Sequence, residues 1–484
     1  MTSLFRWLDE RLDLRRAKRD LLDREVPARL TWWHTLGSAT FTVFLVQVIT
    51  GTTLATYYSA SPDHAYDSIQ YISHQVASGG LLRGIHHWGA SAMVVLLVAH
   101  MIRVFAVGAY KYPREINWLL GVGLFLVVMG FSFTGYLLPW DQKAYWATAV
   151  GTNIAGTTPF IGGALVALLR GGSELGAATL ARFYAFHSLW LPLVLTVVVA
   201  LHLIVLIRQG IAARPRDLEV GAPAKTNDPK YPEYYHEAYA ATKRGGMRFW
   251  PDILGKDAIV SAAVVLIIVL IAALFGAPLE APADPTDTSY IPRPEWYFLP
   301  IYQLLKLVPG SLESVIAVGV PTVLILVLLG LPFFDRGSTR NLLHRPLALA
   351  ALAFILGGSG FLIGAAGRGP KGPREEGAAL SSIQRAGRAL YQSQQCAGCH
   401  RLAGQGGEEG PDLTKVGLRH SAGWLHSFLE SPSRFHAESR MPSYGPPALT
   451  HQEIEEVAQY LSSLHGRETV APQFYDTFPP PRKP

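Results

Sequence analysis

Four histidines stand in stretches of chain that are otherwise apolar. His86 and His100 are 14 residues apart, and His187 and His202 are 15 apart. At about 1.5 Å of rise per residue, either interval covers roughly 21–23 Å of helix. Fourteen residues is close to four turns, so His86 and His100 share a face. Fifteen leaves an offset of about 60°, which a tilted helix can absorb. Ionisable side chains inside a bilayer are costly and usually functional, and neutral imidazole is an axial ligand of haem iron. On two parallel helices His86 is level with His187 and His100 with His202. That arrangement makes two stacked bis-histidine sites for two non-covalent b-type haems, one near each membrane surface. His87, 13 residues before His100, turns away from the shared face and is left unassigned. Gly37 and Gly51 repeat the 14-residue interval on one helix, and Gly121 and Gly135 on another. Such glycines let a flat macrocycle approach the backbone or pack helix against helix.

The chain's two cysteines, Cys396 and Cys399, fall in one motif, Cys396-Ala-Gly-Cys399-His400. C-x-x-C-H attaches haem covalently, the thiols adding to its vinyl groups and the histidine ligating iron. A zinc site would require further ligands, and there is no third cysteine. Nor can a disulfide framework form elsewhere.

These groups need membrane helices to hold them. Of the 484 residues, 49% are hydrophobic and 16% charged, with mean hydropathy +0.21. A spanning helix takes about 20 mostly apolar residues, and seven stretches qualify: 33–57, 83–107, 116–138, 183–207, 257–276, 312–332 and 346–366. Lys and Arg crowd the N-terminus and the 108–115, 208–256 and 333–345 loops, which places those segments on the cytoplasmic side. An odd number of spans then puts the C-terminus on the opposite, positive side, where a c-type haem is attached in bacteria. The net charge of +6 calls for no nucleic acid. Residues 1–30 are charged and amphipathic, a solvated helix at the membrane surface rather than a signal peptide. Residues 367–379 have linker composition, 380–466 form a soluble helical module, and 467–484 are a Pro-rich tail.

Residues 1–366 resemble the cytochrome b family, on the stretches FLVQVITG, RGIHHW, KYPREINW, TGYLLPWDQ and RFYAFH. The likeness is to the chloroplast-type b subunit joined to its partner, subunit IV, and the His187–His202 interval is typical of that branch. It implies an all-α fold: a four-helix two-haem bundle over 31–210, a cytoplasmic loop over 211–256 and a three-helix part over 257–366. Arg83 and Arg182 would then sit near the positive-side haem, while Arg103 and Arg114 would neutralise propionates of the other. The alternative for each arginine is an interfacial anchor.

Pro294-Glu295-Trp296-Tyr297 matches the family's quinol-oxidation motif, in the loop between the fifth and sixth spans. Oxidising a quinol releases two protons, and a carboxylate can carry one away. The resemblance gives Glu295 that role and sets Tyr297 beside the quinol, with Gly135, Tyr136, Pro139 and Trp140 as the facing wall. The alternative is an exposed loop carboxylate. The quinone-reduction side departs from both branches. Thr35 replaces the chloroplast-type cysteine, so no extra covalent haem is expected, and Ile207 replaces the mitochondrial-type histidine. FWPDILGKDA at 249–258 resembles a proton-delivery segment and offers Asp257 and Lys256, with Asp252 behind them. An interfacial ion pair at a helix start is the competing explanation.

Residues 380–466 resemble a class I cytochrome c, with Gly410-Pro411-Asp412-Leu413 flanking the haem and Met441 as sixth ligand. His436 is the other candidate for that ligand. Together these likenesses imply a quinol:acceptor oxidoreductase of the bacterial cytoplasmic membrane. Electrons would bifurcate in a Q cycle coupled to proton translocation. One would go through the b haems to quinone. The other would go through a separate Rieske iron–sulfur protein to the c haem and an acceptor on the positive side. A homodimer of a multi-subunit complex, drawing on the membrane quinone pool, is expected by the same resemblance. Two rivals are a two-haem conduit without bifurcation, which would not need the Glu295 loop, and a membrane anchor for the c domain, which would not need four matched histidines.

Overall fold

In the computed structural model the described residues are 3–285, 293–309, 312–368, 381–402, 405–407, 409–435, 439 and 441–465. Helix dominates them, with two short antiparallel strand pairs, and seven helical stretches are long and apolar enough to cross a membrane. The chain divides into two compact units, one of residues 1–279 and 283–369, the other of 280–282 and 370–484.

In the first unit, two short helices, α1 (Ser3–Leu12) and α2 (Leu14–Leu21), precede the first span, whose main helix is α3 (Leu36–Ala55). A loop helix α4 (Ala65–His74) leads to the second span, α5 (Gly79–Ala106), and the third, α6 (Glu115–Tyr136). Two helices the hydropathy pattern did not indicate follow: α7 (Gln142–Gly156), capped by the Asp141 carboxylate on the Ala144 N–H at 2.8 Å, and α8 (Gly162–Arg170). The fourth span is α9 (Ala177–Ala185) and α10 (Leu191–Gln209), joined by a π-helical turn at Phe186–Trp190. In the following loop lie α11 (Pro215–Glu219) and α12 (Tyr231–Lys243). The last three spans are built on α13 (Leu254–Phe275), α15 (Val320–Phe334) and α16 (Pro346–Arg368), with α14 (Leu299–Lys306) between the first two.

Helices α3, α5 and α13 pack together, as do α6 and α10, and α6 also meets α15. The core between them is aliphatic, with Val43, Met93, Leu97, Val128 and Leu195 buried. The outer faces remain apolar and exposed, for example Ile204, Ile207, Leu270 and Phe354, as a lipid-facing surface must be. Between the spans, Lys111 is buried and donates to Asp335 Oδ1, the Gly337 carbonyl and the Thr339 carbonyl, each at 2.8 Å.

The second unit contains α17 (Ser382–Ser393), α18 (Val416–Arg419), α19 (Ala422–Glu430) and α20 (His451–Ser462). Capping boxes start two of them, Ser381 with Gln384 and Thr450 with Glu453, each satisfying two otherwise open N–H groups. Helix α17 crosses α20 closely at Gly387, where a Cβ would strike the Glu456 carbonyl. Beside that crossing the Tyr391 and Tyr460 rings meet at 5.7 Å. Most of the linker and all of the Pro-rich tail lie outside the described residues.

Candidate functional site

The four histidines come together in the expected pairs. The rings of His86, on α5, and His187, in the π-helical turn, have centroids 6.2 Å apart and planes at 76°. Two imidazoles on opposite sides of a metal, each nitrogen about 2.0 Å from it, would have centroids about 6 Å apart. Thr50 Oγ1 lies 2.9 Å from His86 Nδ1 and Thr134 Oγ1 lies 3.3 Å from His187 Nδ1. These contacts occupy Nδ1 and leave Nε2 for a metal, the orienting role usual for partners of a ligating histidine. His100 and His202 are likewise close enough to feel each other's charge. Nδ1 of His100 is buried without a hydrogen-bond partner.

The 15-residue interval is absorbed differently from the expectation. A π-helical turn accommodates one residue more than an α turn, so Phe186–Trp190 takes up the extra residue before His202. Helix tilt is not required.

Each glycine of the matched pairs faces one histidine. A Cβ on Gly37 would lie 3.1 Å from the His100 ring, on Gly51 3.0 Å from His86, and on Gly121 3.7 Å from His202; on Gly135 it would collide with His187. This cradle fits a flat, histidine-ligated macrocycle between the helices. Near His100, Arg103 and Arg114 keep their Nε atoms buried and unpartnered, and neither forms an ion pair among the described residues. Arg114 donates to the Tyr235 hydroxyl at 2.6 Å. Two buried guanidinium groups without an anion fit the propionates of a haem. Arg83 and Arg182 serve other partners. Arg83 donates to the Ala277 carbonyl at 2.9 Å and the Pro278 carbonyl at 2.5 Å. Arg182 is exposed and donates to the Ala167 and Leu168 carbonyls at 2.5 and 2.9 Å.

Around Glu295 a cavity of about 320 Å³ opens, lined among others by Met129, Phe133, Tyr136, Gly151, Pro294 and Phe298. Its walls are apolar apart from the Glu295 carboxylate and the Tyr136 and Tyr302 hydroxyls. Lys143, in the first turn of α7, binds Glu295 Oε1 at 2.9 Å. Its ammonium stands 5.6 Å from the centre of the Tyr136 ring. Tyr136 donates to the Arg293 carbonyl at 3.3 Å. His87, unassigned in the sequence, lies near Glu295, Arg83 and Lys143. Pro139, Trp140, Trp296 and Tyr297 are not among the cavity's lining residues. Trp140 is buried, and the Trp296 indole reaches Ser91 Oγ at 3.4 Å. Tyr297 packs on the transmembrane core, and burial pushes its phenol above the ordinary range. Gly135 belongs to the His187 cradle.

On the other membrane side, Asp257 Oδ1 accepts from Ser38 Oγ at 2.7 Å, and Lys256 Nζ donates to the Leu30 carbonyl at 3.2 Å. Asp252 Oδ2 accepts from the Arg248 N–H at 2.8 Å. The three therefore bind separate local partners. Thr35 is buried and donates to the Trp32 carbonyl at 2.7 Å, while Ile207 is exposed. His34, which the sequence did not single out, sits in the turn Trp32–Thr35 with Arg103 and Lys256 as its nearest charges.

In the second unit, His400 Nδ1 lies 2.9 Å from the Pro411 carbonyl, leaving Nε2 free, and Gly410 is pressed on its ring. The Gly410–Leu413 segment thus meets the histidine as expected. Burial pushes the Cys396 thiol up to about 11. Met441 packs on the domain core, and Tyr444, three residues on, lies near both cysteines. Two thiols and an oriented histidine, with Met441 on the same domain core, are a donor set that suits covalent haem. His436 lies outside the described residues.

Comparison with known proteins follows this division. Residues 21–210 match the family model "Cytochrome b/b6/petB", 282–383 match "Cytochrome b(C-terminal)/b6/petD", and 384–465 match "Cytochrome c". The cytochrome b subunit of the menaquinol:cytochrome c reductase of Geobacillus thermodenitrificans is 46% identical over 220 residues, covering 44% of this chain and 98% of that one. Cytochrome b6 of Oltmannsiellopsis viridis is 42% identical over 212 residues, 44% of this chain and 99% of its own. Among solved structures, a chain of a hyperthermophilic respiratory Complex III aligns with TM-score 0.64 at 28% identity, over 76% of this chain and 92% of that one.

Proposed function

The chain belongs to the cytochrome b/b6 family and carries a C-terminal cytochrome c domain, and from that premise we propose that it oxidises membrane quinol at the Glu295 cavity with electron bifurcation. It acts as the core subunit of a quinol:cytochrome c oxidoreductase complex, as its relatives do by name. His86 with His187 and His100 with His202 hold two b-type haems, with Arg103 and Arg114 on the propionates of the second. Cys396, Cys399, His400 and Met441 hold one haem c. When bound, these groups would supply one-electron acceptors: one electron would cross the membrane to a second quinone, and the other would pass by a Rieske iron–sulfur protein to the c-type group and an external acceptor.

The observation that carries this reading is the carboxylate in an apolar cavity whose wall residue Tyr136 directly follows Gly135, the glycine pressed on His187. Quinol bound there loses a hydroxyl proton to Glu295, with Tyr136 on the facing wall. Release on that side and uptake near Asp257 and Lys256 would couple turnover to proton translocation. The protein sits in the bacterial cytoplasmic membrane, N-terminus inside and c domain outside, in a homodimeric multi-subunit assembly.

Replacing Glu295 by Gln keeps the shape and removes the proton acceptor. Quinol:cytochrome c turnover in membranes should fall by about 10²-fold, the lower end for loss of an acid–base group, with the b and c absorption bands intact. Unchanged turnover would leave only a two-haem conduit.

A further inference from the structure

Lys143 and Glu295 are 152 residues apart in the chain and 2.9 Å apart in space. Their side chains are 28% and 19% exposed, so the pair is shielded from water on most sides. No motif recognised in the sequence contains Lys143. It is held by α7, whose start is fixed by the Asp141 cap, and its ammonium also faces the Tyr136 ring. Lys143 does not line the cavity; Glu295 does. It grips one carboxylate oxygen, Oε1, and no hydrogen bond engages Oε2 among the described residues. Among the described residues, the titratable groups facing Glu295 are Lys143 from α7, His87 from α5 and Tyr297 from its own loop, with the Tyr136 and Tyr302 phenols lining the same cavity. Among the described residues, Lys143 is the one permanent cation that forms an ion pair with it.

An ionised carboxylate in an apolar cavity is disfavoured by desolvation and favoured by an opposite charge within about 4 Å. Ionised, it is an acceptor only, and protonated, it becomes a donor. Resting on the quinol-oxidation reading above, we propose that Lys143 is the positioning residue for Glu295, pinning its carboxylate as an anion with the second oxygen free for the quinol hydroxyl. In the step itself one quinol O–H bond breaks and an O–H bond forms on Glu295, the proton of the second hydroxyl leaves to water on the same side, and the two electrons go one to each of the acceptors already named. Protonation removes the charge that Lys143 holds. The ion pair therefore loosens only after the proton has arrived, and Glu295 is free to pass it on.

The test uses the full chain in its native complex, in membranes, with a short-chain quinol and cytochrome c. Lys143→Met removes the charge at similar length, Lys143→Arg keeps it, and Glu295→Gln removes the acceptor. We expect Lys143→Met to lower kcat about tenfold with KM within about twofold, an interaction made in the reacting state rather than in binding. Lys143→Arg should recover kcat to within about threefold of the parent, and Lys143→Met in the Glu295→Gln background should cost less than about twofold, because the two act as a unit. Parent-like kcat in Lys143→Met, with Glu295→Gln impaired, would overturn the proposal and leave the site reading standing. So would an independent tenfold loss in the double variant. If Lys143→Met loses its b absorption, Lys143→Arg decides: a kcat as low as that of Glu295→Gln, with absorption intact, overturns the proposal. An active Glu295→Gln would instead remove the quinol-oxidation reading itself.

Discussion

The histidine rings and the glycines that face them would set how closely a bound macrocycle is held. The four glycines are not equivalent: Gly135 leaves its histidine no room for a Cβ, whereas Gly121 leaves an ordinary contact of 3.7 Å. Gly135→Val should therefore abolish the His86–His187 site, with loss of about half the b-type absorption and the remainder held by His100 and His202. Gly121→Ala should retain both. Reduced-minus-oxidised spectra of membranes distinguish the two, and equal losses would contradict the ordering. The histidines were legible in the sequence because ionisable residues are rare in apolar helices, so their spacing stands out. Lys143 and His34 were not. Their meaning comes from partners in other elements, and neither periodicity nor a local motif carries that information. Arg83 and Arg182, which the family motif marks, donate to backbone carbonyls.

Among the elements, hydropathy located all seven spans to within a few residues, since bilayer thickness fixes their length. It missed α7 and α8, which at 15 and 9 residues are too short to span, and with α7 part of the wall of the Glu295 cavity. Charge counting set the basic loops on the cytoplasmic side, and several of their cations are buried. Lys111, Arg340 and Arg345 fasten the 335–345 segment to the turn after α5. Arg345 Nη1 is 3.2 Å from Asp335 Oδ2, and the Tyr110 hydroxyl donates to the same carboxylate. Burial pushes Lys111 down to about 8 despite its ion pair. Burial alone would raise Asp335, but hydrogen bonds from Lys111 and Tyr110 outweigh it and hold the carboxyl below the usual range. Removing one partner of such a pair costs about 3–5 kcal/mol, because the other charge is left buried and alone. Lys111→Met should accordingly lower the temperature at which b-type absorption is lost in detergent, while exposed Lys225→Met should not. Equal midpoints would show that the cluster does not hold the last three spans to the bundle.

At the scale of the whole molecule, one chain unites a two-part cytochrome b with a cytochrome c domain. The matched relatives of the b part cover 44% of it. Composition separates these parts in kind, because a membrane unit and a soluble unit differ so strongly in hydropathy. A tether between them would raise the local concentration of the c domain about its electron donor. The account as a whole rests on bifurcation at the Glu295 cavity. The most direct test is a pulse of oxidant given to quinol-equilibrated membranes, with b and c absorbances followed separately. Transient reduction of the b-type groups while the c-type group is oxidised is the predicted result. Oxidation of both together would mean a linear conduit and would contradict the account, however well the histidines hold their haems.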